Sequence, residues 1–293
     1  MDPKNTLLVY NALIAEAKEM AEALALRLGT NWPLHPAEDV AVSLATTPSL
    51  LISIGGDGTI LRAAQMAAPL GVPLLGVNLG RLGFLTEIEG RHALDLVPHY
   101  VEPGFAWVQE RSMLQVQVWG PGWEGPKVAH ALNEVVVGRG PIARLPSIRV
   151  RVNGADLATY SADAVIVASA TGSTGYALSA GGPILYPTST DMLLKAVAPH
   201  GDLAAPVVVP GDYVVELSVH SQVSSTVSAD GHWAVELGEE HRVRVSRSPY
   251  VAHFLRAGTP ERFYETLLYR LHRGPPLPDP LPMPTSQELG RRG

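Results

Sequence analysis

The 293-residue chain contains no cysteine, which removes disulfides, thiolate nucleophiles, iron–sulfur clusters and Cys-ligated zinc together. It has no excess of basic charge: 22 Lys and Arg stand against 28 Asp and Glu, a net charge of −6. Neither a polyphosphate backbone nor an anionic membrane is attracted electrostatically, so no nucleic-acid and no membrane partner is expected. No stretch approaches the roughly 18 apolar residues needed to span a bilayer, and the start MDPKNTLLVY has no apolar signal core, so a soluble, cytoplasmic protein is expected. Several motifs are also missing. Without GxxxxGK[ST] there is no P-loop, without GxGxxG after an early strand no usual dinucleotide fingerprint, without GxSxG no nucleophile elbow, and without HExxH no zincin helix.

What is present is 46% hydrophobic, with 28 glycines and 25 prolines, the composition of a compact chain rich in turns and long enough for two domains. The first third alternates strand and helix. Thr6–Tyr10 reads as a strand, and apolar positions at Leu13, Ala17, Met20, Leu24 and Leu28 mark an amphipathic helix closed by Gly29. Leu50–Ile54, a helix over 59–68 and a strand over 73–77 then make a βαβ unit. From Phe105 the period becomes two, with strands expected at 114–118, 134–137, 148–152, 164–168, 207–209, 213–219, 234–237 and 243–245, and a tight hairpin at Asn153-Gly154. Thr259-Pro260-Glu261 opens a helix over 259–272 that is expected to pack back on the first domain. The expected architecture is an α/β N-terminal domain over 1–104, an all-β, sandwich-like domain over 105–255, and a proline-dense disordered tail over 274–293.

Three segments could carry chemistry. Gly55-Gly56-Asp57-Gly58-Thr59 lies between a strand and a helix, where glycines and a helix N-terminus can cradle phosphate. A carboxylate there repels phosphate unless it holds a cation or accepts a proton, although a plain Gly-Asp-Gly turn has the same composition. Asp163 to Pro183 leads from strand residues into a loop offering the hydroxyls of Thr171, Ser173, Thr174 and Ser179, close approach at Gly172 and Gly175, and the ring of Tyr176. It suits a purine or a ribose, and equally a Ser/Gly-rich turn. Asn133-Glu134 heads an apolar strand, where an amide and a carboxylate could hold two ribose hydroxyls or could simply be solvated.

Taken in order, GGDGT at 55–59, NLGRLGFL at 78–85, the Asn133-Glu134 pair and TGSTGYALSAGGPI at 171–184 resemble the NAD kinase family. GGDGT alone also resembles lipid kinases of the diacylglycerol and sphingosine type. The resemblance implies transfer of the γ-phosphate of ATP to the 2′-hydroxyl of the adenosine ribose of NAD, in a cleft between an α/β and a β-rich domain. It implies Asp57 as catalytic carboxylate and Gly55, Gly56, Gly58, Thr59 and Arg62 as phosphate-binding. For NAD it implies Gly58, Phe84, Asn133, Glu134, Thr171, Thr174, Gly175 and Tyr176, with Asp163 and Ser179 facing the nicotinamide half. Asp230 in SADGH is expected at the nicotinamide end of a neighbouring subunit's pocket, hence a homodimer or homotetramer, and Mg²⁺ or another divalent cation is expected with ATP. The sequence departs from the family at Ala162, Ala164, Ala170 and Gly201. The alternatives are a lipid or small-alcohol kinase and a non-catalytic NAD sensor.

Overall fold

A computed structural model describes residues 1–39, 46–80, 83–140, 144–201, 204–220 and 224–271. The tail expected over 274–293 lies outside them. The chain divides into two compact units, residues 1–110 with 252–293, and residues 111–251. The division falls inside strands Trp107–Trp119 and Arg242–Arg256 rather than at 104/105 and 255/256, because both strands run on through the points where the sequence pattern changes.

In the first unit, strands His35–Pro36, Thr6–Tyr10, Leu50–Gly55 and Pro73–Asn78 pair in parallel in that order. His253-Phe254 pairs with Pro73-Leu74 beyond the last of them. Helix Ala15–Leu28 buries Ala17, Ala21, Leu24 and Leu28 against this sheet and ends at Gly29, whose φ of 64° is the left-handed conformation glycine adopts readily. Leu13, expected on the buried stripe, is 87% exposed because the helix begins only at Ala15. The C-terminal helix runs Arg262–Arg270. Its Thr259-Pro260-Glu261 start is an i→i+3 turn, with Arg262 N bonded to Thr259 O and Phe263 N to Pro260 O, and the helix belongs to this unit.

The second unit is a β-sandwich. One sheet holds Ala155–Ser161, Ser147–Val152, Val215–Val219 and the 242–245 end of the long strand, all antiparallel. The other runs Val207–Val209, Met192–Val197, Ala164–Ala168, Glu134–Arg139, Ser225–Ala229 and Trp233–Leu237. Alternate residues of both, among them Val150, Leu217, Val245, Val135, Val165 and Val227, form the buried layer between them. Asn153 and Gly154 both have positive φ, 49° and 85°, as a two-residue hairpin turn requires. Strand Ala164–Ala168 is buried on both faces, since Ala177 of the short helix Tyr176–Ser179 covers the outer side of Ile166 and Ala168.

Candidate active site

In the first unit the strand ends at Gly55 and the helix Asp57–Ala67 starts two residues later. A Cβ on Gly55 would run into the Thr59 hydroxyl, so only glycine lets strand and helix close this tightly. Thr59 Oγ1 accepts the Gly56 N–H at 3.3 Å and the Asn11 Nδ2–H at 3.5 Å. The expected phosphate ligand Thr59 thus serves as a cap for its own helix, buried at 4% exposure. Gly58 is exposed and a side chain there would meet nothing within 4 Å, nor would one at Gly80, so the turn is open on that side. Arg62 lies five residues along the helix from Asp57, about 140° around its axis.

Asp57 is the first helical residue, and its carboxylate is fixed from across the sheet. Oδ2 accepts the Phe84 N–H at 3.0 Å and Oδ1 the Leu85 N–H at 3.3 Å. A Cβ on Gly83 would occupy the space of that carboxylate, so the glycine of the LGFL stretch is required for Asp57 to reach these amides. Both oxygens keep a lone pair for a further partner. Gly83 lies within the NLGRLGFL motif, but the motif gives it no role of its own. The only signal was its place directly before Phe84.

In the second unit, register brings three distant segments to one sheet end. Ala168 stands opposite Glu134, and Val135 opposite Ala229. The loop after Ala168, the Asn133-Glu134 pair and Asp230 therefore adjoin. Ser169 and Ser173 hold the loop: Ser169 N–H bonds Asn133 O at 2.8 Å, Ser169 Oγ accepts the Gly172 N–H at 3.1 Å, and Ser173 Oγ accepts the Leu185 N–H at 2.9 Å. A Cβ on Gly172 would overlap the Asn133 carbonyl, and one on Gly175 would lie 3.1 Å from Glu134 Oε2 and 3.5 Å from Asn133 Nδ2. Around this notch Asn133 Oδ1, Glu134 Oε2 and Thr171 Oγ1 are buried without a protein partner. Buried polar atoms are almost always paired, so three such atoms in one place make a polar notch able to take hydrogen bonds from outside the protein. Burial, with the charge of Asp230, pushes the Glu134 carboxyl up to about 7 against a hydrogen bond from the Tyr176 N–H. Thr174 Oγ1 donates to Thr171 O at 3.0 Å, and the Tyr176 ring is 43% exposed.

Asp230, at a φ of 47°, accepts the N–H groups of Leu132, Asn133 and Glu134 at 2.7, 2.8 and 3.0 Å, all within its own chain. Burial nevertheless raises its proton affinity. Asp163 precedes strand Ala164–Ala168 and Thr171 follows it, so the strand, roughly 13 Å from first to last residue, lies between them, and Asp163 pairs with Arg139 at 3.2 Å. Ser179 is exposed at the end of its short helix. Among the described residues no three His, Asp or Glu side chains converge on a metal position, and no helix is long and apolar enough to cross a membrane.

Residues 132–257 match the ATP-NAD kinase C-terminal domain and residues 38–105 the ATP-NAD kinase N-terminal domain. An NAD kinase of Dehalococcoides mccartyi is 34% identical over 266 residues, covering 89% of this chain and 93% of the relative. One of Chloroflexus aurantiacus is 40% identical over 224 residues, covering 76% and 80%. Among solved structures, an Archaeoglobus fulgidus NAD kinase in complex with ATP aligns with a TM-score of 0.73 at 27% identity, over 92% of this chain and 99% of that one. A yeast NADH kinase complexed with NADH aligns with a TM-score of 0.74 at 20% identity, over 94% and 90%, a likeness of fold. These matches span both units and agree with the glycine turn of the first and the polar notch of the second: the chain belongs to the ATP-NAD kinase family.

Proposed function

We propose that the protein transfers the γ-phosphate of ATP to the 2′-hydroxyl of the adenosine ribose of NAD, with Asp57 as general base. The observation that carries the choice of acceptor is the group of orphaned buried atoms on Asn133, Glu134 and Thr171 around the Gly172/Gly175 notch. An amide oxygen, a carboxylate oxygen and a hydroxyl accept from ribose hydroxyls and an adenine amino group, with Thr171 also able to donate. Tyr176 offers its exposed ring to the base. A diacylglycerol headgroup has a single hydroxyl to offer these three groups, and the curated relatives give the lipid-kinase alternative no support.

Phosphoryl transfer asks the protein mainly for positioning and charge neutralisation. Asp57 accepts the proton of the 2′-hydroxyl as that oxygen forms a bond to the γ-phosphorus and the bond to the β-phosphate oxygen breaks, releasing ADP. Its two amide contacts hold the carboxylate still while one lone pair on each oxygen stays open for that proton. The N–H groups of Asp57 and Gly58, at the helix start where Gly58 is exposed, are the donors available to phosphate oxygens, those of Gly56, Thr59 and Ile60 being bonded within the turn. The described residues offer no three-ligand set, so the expected divalent cation is assigned to the triphosphate as part of the substrate, and no step is derived through it. A homodimer or homotetramer in the cytoplasm belongs to the same proposal, on the family resemblance alone.

The test is to incubate the purified protein with NAD, ATP and Mg²⁺ and to detect NADP with an NADP-specific dehydrogenase, beside a no-ATP control and a diacylglycerol substrate. NADP formed only with ATP is expected. Phosphorylation of the lipid without NADP would overturn the proposal.

A further inference from the structure

The first unit contains a buried charged network that the reaction itself does not use. Glu87 and Arg256 pair at 2.8 Å with side chains 9% and 8% exposed, and the Arg256 charge holds the Glu87 carboxyl below the usual range despite burial. Glu87 Oε1 also accepts the Tyr100 hydroxyl at 3.1 Å and the Ala257 N–H at 3.0 Å. Anchored in this way, Arg256 donates to Leu85 O at 3.1 Å and Thr86 O at 3.3 Å, and to Gln109 Oε1 at 3.3 Å. Arg270, from the C-terminal helix, donates to Phe84 O at 3.3 Å and sets its guanidinium 5.9 Å from the Phe84 ring centre. Its Nε is buried without a partner. Burial and the neighbouring Arg256 lower the Arg270 pKa to about 10, opposed by Glu87 and Asp57, so it stays charged at neutral pH.

The carbonyls of Phe84, Leu85 and Thr86 are therefore all held by two guanidiniums, while the N–H groups of Phe84 and Leu85 hold Asp57. One peptide unit, the Phe84 carbonyl with the Leu85 N–H, therefore has the Arg270 cation at its carbonyl end and the Asp57 anion at its N–H end, while Arg256 holds the carbonyls of the next two units. A cation at the oxygen polarises the amide and strengthens its N–H as a donor. A buried arginine with an unsatisfied Nε is an expensive way to hold a loop, and a role beyond packing accounts for it.

We propose that Arg270 is a positioning residue for Asp57, acting through the Phe84–Leu85 peptide unit to fix where the carboxylate sits, with Arg256 bracing the two carbonyls that follow. The inference rests on Asp57 as the base, and the experiment separates the two claims. Arg270→Met, Arg270→Gln and Arg270→Lys are compared with Asp57→Asn in steady-state kinetics and thermal melts. Arg270→Met should lower kcat about 10- to 100-fold, the scale of a small misplacement of a reacting group, with both KM values within about twofold. Arg270→Lys, which keeps a charged donor for Phe84 O, should recover most of that loss. If Arg270→Met does not fold, Arg270→Gln carries the same expectation. The positioning role is overturned if kcat is unchanged, if KM for ATP or NAD rises in step, or if the Lys form is as slow as the Met form. An active Asp57→Asn would overturn the base assignment instead.

Discussion

Glu134→Gln tests whether the notch in the second unit is built for a ligand at the expense of stability. In the folded protein the Glu134 carboxyl keeps its proton until about pH 7, against an ordinary value of 4.5. In the unfolded chain it loses that proton near 4.5. Between these values the folded state binds more protons, so stability falls as pH rises through this window and levels off above it. At about 1.4 kcal/mol per pH unit the full effect is about 3.5 kcal/mol, and about 2 kcal/mol after discounting for solvent screening at a half-buried group. Glutamine cannot ionise, so the variant should melt about 4–8 °C higher than the parent at pH 7.5 and no higher at pH 4.5. Its NAD KM should move the other way, rising about 10- to 150-fold, because hydrogen bonds to a charged acceptor contribute roughly 1.5–3 kcal/mol. Differential scanning fluorimetry over pH 4.5–8 and steady-state kinetics read both quantities. A variant that melts no higher at pH 7.5, or one with an unchanged NAD KM, would refute the reasoning.

Gly83→Ala places a methyl group where the Asp57 carboxylate lies, and should lower kcat about 100-fold with little change in NAD affinity by calorimetry. Asp230→Ala leaves three main-chain N–H groups without their acceptor, each worth about 1–3 kcal/mol when unsatisfied, so the melting temperature should fall by several degrees and the NAD KM should rise. Because those bonds are within one chain, mixed oligomers of Asp57→Asn and Asp230→Ala subunits should show no more than the mean of the parents. Recovery above that mean, after demonstrated subunit exchange, would place Asp230 in a shared site.

The sequence revealed elements wherever a pattern repeats. The apolar stripe Ala17-Leu24-Leu28, the alternation at Leu114–Val118 and the turn at Asn153-Gly154 all report local geometry, and all three are found. Strands 127–131, 155–161, 192–197 and 225–229 were not foreseen. Ala155–Ser161 is exposed or half-buried except at Tyr160, and Met192–Val197 is buried almost throughout, so neither shows a period of two. The site was legible as residue types but not as contacts. That Asp57 rests on the amides of Phe84 and Leu85, or Asp230 on those of residues 132–134, depends on pairing between strands distant in sequence. The same is true of Asp163, whose nearness to Thr171 in sequence hides the length of strand between them.

The most direct measurement is the turnover of Asp57→Asn with NAD and ATP, alongside its NAD affinity by calorimetry. The variant keeps the shape of the side chain, and an amide oxygen can still accept one of the two N–H bonds, but it cannot take a proton. The expected result is a kcat lower by about 10²–10⁴ with NAD affinity within a few-fold of the parent. A variant keeping more than about a tenth of the parent's kcat would contradict the account and move the base elsewhere.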